Sequence, residues 1–129
     1  MVAHAKASIG LANYAVTISA GQHRLNADEG PALGGKDMGP APYDLLCSAL
    51  GACTAITLRM YAQRKGWALS AAHVDVRFQR IEKEASIARV LTLEGDLNEE
   101  QRARLADIAE RTPVTLTLKQ GLPITTTLS

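Results

Sequence analysis

The chain has 129 residues, of which 47% are hydrophobic and 21% charged, and its formal net charge is +1. That composition suits one soluble globular domain over residues 1–129, able to bury roughly two-thirds of its unfolded surface, and implies no nucleic-acid partner. His4, His23 and His73 lack a spacing that would gather a metal, and no Gly-x-x-x-x-Gly-Lys-Ser/Thr phosphate loop is present, so neither a metal nor a cofactor is expected.

Near the N-terminus, Tyr14, Val16 and Ile18 alternate with Ala15, Thr17 and Ser19, Ala20-Gly21 signals a turn, and His23 to Ala27 returns as a partner strand. A third strand from Val2 to Ile9 completes this hairpin region. The stretch from Asp28 to Gly39 is long and rich in Gly and Pro, and is read equally as a functional loop or a plain surface connection. A helix is predicted from Pro42 to Lys65. Proline suits its first turn, and Arg64 and Lys65 before Gly66 suit its end.

Between Asp44 and Arg59 this helix carries no charge, and Leu45, Leu46, Ala49, Leu50, Ala52, Ala55, Ile56 and Leu58 occupy every face of the helical wheel. A helix of that kind is expected to be covered on all sides. The uncharged run is 14 residues, short of the ~20 that cross a bilayer, and no basic N-region precedes it. The expectation is therefore a core helix, with no membrane partner.

Downstream, Val74, Val76 and Phe78 alternate with Asp75, Arg77 and Gln79, and Ile87 to Leu97 reads as a second long strand, joined by Glu82-Lys83-Glu84. Asn98 to Gln101 is close to a capping box, so residues 98–111 are expected to form an amphipathic helix. Thr112-Pro113 then caps and starts a short helix ending near Gly121, and Ile124 to Leu128 reads as a last strand. The fold class is α+β, with helices grouped against antiparallel sheet.

Two cysteines, Cys47 and Cys53, lie six residues apart on the long helix, about 9 Å along its axis and roughly 120° around it. A disulfide needs Cα atoms within about 7 Å, so they do not pair within this helix, which fits a reducing, cytoplasmic compartment. Redox chemistry would need one thiol alone, a thiol on a second copy, or an outside reductant. Each cysteine is otherwise a small buried apolar residue.

The run from Asp28 to Leu46, continuing as Ala49-Leu-Gly-Ala-Cys-Thr-Ala-Ile-Thr-Leu-Arg-Met-Tyr-Ala-Gln-Arg-Lys-Gly-Trp67, resembles the OsmC/Ohr family of thiol peroxidases, and most of all its OsmC-like branch. Gly95 to Leu105 and the Arg111-Thr-Pro-Val114 turn are similar as well, so the likeness spans nearly the whole chain. The resemblance implies an OsmC-like fold in which long central helices are buried in an intertwined homodimer. It implies that Cys53 attacks the O–O bond of an organic hydroperoxide and becomes a sulfenic acid, as a defence against oxidative stress. Such a substrate is a small hydrophobic peroxide, and a non-catalytic relative would instead hold a small hydrophobic ligand at the dimer interface.

The chain departs from the family pattern at several positions. Thr112 stands where the family has its second cysteine, so an external thiol reductant is implied. The family's glutamate near the start of the central helix falls on Tyr43, next to Asp44, and no arginine precedes Arg24 in the N-terminal hairpin. Tyr43, Asp44, Arg24 and Thr112 are thus the candidate pocket and supporting residues around Cys53. Each also has a plain structural reading: Arg24 as an exposed strand residue, Asp44 as a first-turn acid and Thr112 as a helix cap.

Overall fold

The computed structural model describes residues 1–129, whose contacts gather into two units, Met1–Leu46 and Cys47–Ser129. In the first unit β1 (Ala5–Ser8), β2 (Val16–Ala20) and β3 (His23–Ala27) form an antiparallel sheet in the order β1-β2-β3. The register pairs Ala5 with Ala20 and Val16 with Ala27. Val16, Ile18 and Ala20 share the less exposed face, as their alternation predicts. Gly21, at φ +58, makes the tight return from Ala20 to His23.

Beyond β3 the chain does not wander through its Gly/Pro-rich stretch. Asp28 is buried, and its carboxylate accepts four backbone N–H bonds: from Tyr14 and Glu29 on Oδ1, at 3.2 and 2.7 Å, and from Lys36 and Met38 on Oδ2, at 3.2 and 3.1 Å. Between these anchors lies one 3-10 turn, Pro31–Leu33. Gly39 is required there because a Cβ would sit 2.3 Å from the carbonyl oxygen of Asn26. Burial pushes the Asp28 carboxyl up, but the bonds from Met38, Glu29, Lys36 and Tyr14 together hold it below the ordinary carboxylate value.

The long helix α1 (Pro42–Lys65) has the bounds expected from its proline start and basic end. In its first turn Asp44 Oδ2 accepts the Ala41 N–H at 3.1 Å. In the second unit β4 (Ala68–Ile81) and β5 (Glu84–Asp96) form an antiparallel pair, longer at β4's start than the sequence alternation suggests. α2 (Glu99–Ala109) is opened by a full capping box, Asn98 accepting from Gln101 N while Gln101 accepts from Asn98 N. α3 (Pro113–Gln120) is capped by Thr112. The core of this unit is Leu58, Ala62, Leu69, Leu97, Leu105 and Ala109, with Tyr61, Trp67, Leu91, Leu93 and Ile108 packed on it. The α+β class with antiparallel sheets and three helices is as expected.

One expectation is met only in part by a single chain and another is overturned. Within one chain α1 buries only Leu50, Thr54, Leu58 and Ala62, a single i, i+4 stripe, while Ile56 and Met60 are 53% and 57% exposed. The remaining faces have no covering surface in one chain. By length and mean hydropathy α1 is apolar enough to cross a bilayer, but Leu58 and Ala62 of its stripe belong to the packed core cluster. There is no strand at Ile124–Leu128. Residues 121–129 are irregular and exposed, because an extended segment becomes a strand only beside a hydrogen-bonding neighbour, and none pairs with it here.

Candidate active site

Cys53 sits at the middle of α1, half-buried and free, and Cys47 is likewise half-buried and free. Its neighbour Thr54 is fully buried on the packed stripe. Thr54 Oγ1 donates to the carbonyl of Leu50 at 2.7 Å, which leaves its lone pairs to accept from elsewhere. The donor is Arg89 on β5, whose Nη1 reaches Thr54 Oγ1 at 3.0 Å and Thr115 Oγ1 at 2.9 Å. Nη2 of the same guanidinium donates to Glu110 Oε2 at 3.1 Å, and Lys119 Nζ lies 3.6 Å from that oxygen.

Thr112 completes the cluster. It is fully buried, and its Oγ1 lies 2.6 Å from Thr115 Oγ1 and accepts the Thr115 N–H at 3.4 Å. Thr115 Oγ1 in turn donates to Ala109 O at 3.3 Å. The arrangement is self-consistent: each threonine hydroxyl has one acceptor for its proton, and lone pairs remain for the incoming donors. A buried cation is costly unless paired and hydrogen-bonded, and Arg89 has both kinds of partner.

Leu50, Phe78, Ile87, Arg89, Glu110, Thr115, Leu118 and Lys119 line a cavity of about 520 Å³ beside this cluster, together with Ala85 and Ser86. The structure thus brings Thr112 into one hydrogen-bonded group with the residue next to Cys53. No hydrogen bond or ion pair engages the Cys53 sulfur within residues 47–129. Tyr43 and Asp44 lie in the exposed first turn of α1, and Arg24 is exposed on β3 opposite Ser19; all three belong to the first unit. Asp44 is committed to the helix start, and Thr112 to the cap of α3, as their plain readings have it.

The sequence reading passed over Arg89. A signal was present: Ile87, Arg89, Leu91 and Leu93 share the less exposed face of β5, so an arginine stands where the period-2 pattern calls for an apolar residue. Thr54 and Thr115 were also missed, since a threonine on an apolar helical face announces no partner.

Comparison with protein-family models matches residues 34–127 to the family described as OsmC-like protein. Comparison with curated proteins gives no match. Among solved structures, an OsmC-like protein from Mycoplasma pneumoniae is similar at 20% identity and a TM-score of 0.78, over 92% of this chain and 88% of that one. An organic hydroperoxide resistance protein OsmC from Legionella pneumophila matches at 21% identity and 0.66, over 92% and 90%. The organic hydroperoxide resistance protein OhrB of Bacillus subtilis matches at 21% and 0.61, over 91% and 90%. At these identities the likeness speaks for the fold alone.

Proposed function

The chain belongs to the OsmC-like family, and on that premise we propose that it is a thiol-dependent peroxidase reducing organic hydroperoxides through the single thiol of Cys53. The observation that supports this reading is a free, half-buried thiol at the centre of α1, on a helix whose outer faces are open in one chain. Open apolar faces of that extent fit a second copy lying against them, so the working unit is a homodimer and the substrate crevice is apolar. Solved relatives named as organic hydroperoxide resistance proteins point to the same role in oxidative-stress defence.

The cycle follows from the residues. Cys53 as thiolate attacks the distal peroxide oxygen, the O–O bond breaks, and the alkoxide leaves and takes a proton to become the alcohol. Because Thr112 is a buried cap and not a thiol, the sulfenic acid persists until an external thiol condenses with it, releasing water. A second equivalent of that thiol resolves the mixed disulfide. A reducing cytoplasm supplies both equivalents. Of the supporting candidates Tyr43, Asp44, Arg24 and Thr112, only Arg24 carries the positive charge that would hold a thiolate.

A second reading, a non-catalytic protein binding a small hydrophobic ligand, is favoured by the lack of any cation bonded to the sulfur within residues 47–129. Intact mass after one equivalent of cumene hydroperoxide separates the two. The peroxidase gains about 16 Da, one oxygen, trapped by dimedone at Cys53 and absent in Cys53→Ser. An unchanged mass in the folded wild-type protein sinks the peroxidase reading and leaves the ligand-binding one.

A further inference from the structure

The cavity beside Arg89 has a chemistry that the thiol reaction does not use. Its volume of about 520 Å³ falls within the ~300–1,000 Å³ usual for small-molecule sites. Leu50, Phe78, Ile87 and Leu118 make its walls apolar, while Arg89, Glu110 and Lys119 are its charged groups. Two cations against one carboxylate leave one positive charge in excess.

The Arg89 side chain is only 13% exposed, and its guanidinium offers five N–H donors. Nη1 directs two at Thr54 and Thr115, and Nη2 directs one at Glu110. Nε makes no bond within the chain, yet every wholly buried side-chain nitrogen and oxygen has a partner. Nε is therefore not wholly buried, and Arg89 is among the residues that line the cavity. The three threonine and glutamate contacts hold the guanidinium plane still, which is the preorganisation that a planar anion needs.

The geometry points to a binding site for a small amphipathic monocarboxylate, its carboxylate on Arg89 and Lys119 and its hydrocarbon part against Leu50, Phe78, Ile87 and Leu118. Three of the five N–H donors are used, and a neutral apolar guest would cover any of the remaining two that it reaches without satisfying it, which penalises such guests. Glu110 is the internal competitor, since it already occupies part of the same guanidinium and sits 3.6 Å from the Lys119 ammonium. The site lies wholly within residues 47–129 and does not depend on whether Cys53 reacts.

Calorimetric titration of the full chain with octanoate and with octanol tests this, in the wild-type protein and in Glu110→Gln, Lys119→Met and Arg89→Lys. Octanoate is expected to bind saturably and octanol at least about tenfold more weakly, the discrimination expected of a charge-assisted hydrogen bond. Glu110→Gln removes the competing carboxylate from a side chain that is 59% exposed, and is expected to tighten octanoate about tenfold. Lys119→Met, at a side chain that is 60% exposed, weakens it several-fold. Arg89→Lys removes the planar fork and weakens it further. Should Arg89→Lys fail to fold, the other two variants still decide. Octanol binding as tightly as octanoate, an unchanged affinity in Glu110→Gln, or no saturation up to about 10 mM octanoate would each overturn the proposal.

Discussion

In residues 47–129 six buried apolar side chains, from Leu58 to Ala109, form one cluster, whereas in residues 1–46 only Ala27 and Asp28 are buried. The larger unit follows the usual rule: apolar area leaves water, and polar groups that come along, such as Arg89 and its threonines, are bonded to one another. The smaller unit follows another. Its one buried carboxylate collects four N–H groups from a stretch spanning Tyr14 to Met38, so hydrogen bonding to a charge orders a loop that apolar burial does not. A sheet with so little buried apolar surface stays marginal unless something covers it, which is the same demand that the open faces of α1 make.

The contrast can be broken or sharpened by substitution. The largest effect is expected at the apolar core. Leu105→Ala deletes a fully buried side chain and should cost about 2–5 kcal/mol in urea unfolding, and a loss under 1 kcal/mol would mean the cluster does not hold this unit. A smaller loss, about 1 kcal/mol, is expected from Thr112→Val, which keeps the volume but removes the cap of α3 and the partner of Thr115. If that variant is as stable as wild type, Thr112 is not held by its structural role.

The third effect is local. Because the folded Asp28 carboxyl is held below its ordinary value, the stability it contributes is full above the unfolded pKa of about 4 and is lost as pH falls through the folded value. The amide proton shifts of Tyr14, Glu29, Lys36 and Met38 should titrate together with one midpoint below that of a free aspartate. In Asp28→Asn the common titration should vanish while the core of residues 47–129 unfolds as before. Separate midpoints, or one at or above the free value, would show that the carboxylate does not organise the loop.

Particular residues show where sequence reading succeeds and fails. Pro42 and the Arg64-Lys65-Gly66 ending mark α1, and Asn98 with Gln101 marks the start of α2, because caps act over three or four residues. Cys53 stood out only through the resemblance of the Gly51-Ala-Cys53 step to the family pattern, since on residue type alone it reads as a small buried apolar residue. The Arg89 cluster was not legible, since its members come from α1, β5, the C-cap of α2, and α3 with its N-cap, with Arg89 and Thr54 separated by 35 positions. Asp28 likewise bonds across 14 positions to Tyr14, a distance at which no local pattern operates.

Periodicity and capping, which are interactions between near neighbours in the chain, were enough to place the helices and the long strands. Which face of α1 is packed, which polar groups meet at Arg89 and whether Ile124–Leu128 finds a strand to pair with were decided only in three dimensions. Burial and hydrogen bonding between distant segments depend on what the folded chain brings alongside them, and a linear pattern does not contain that information.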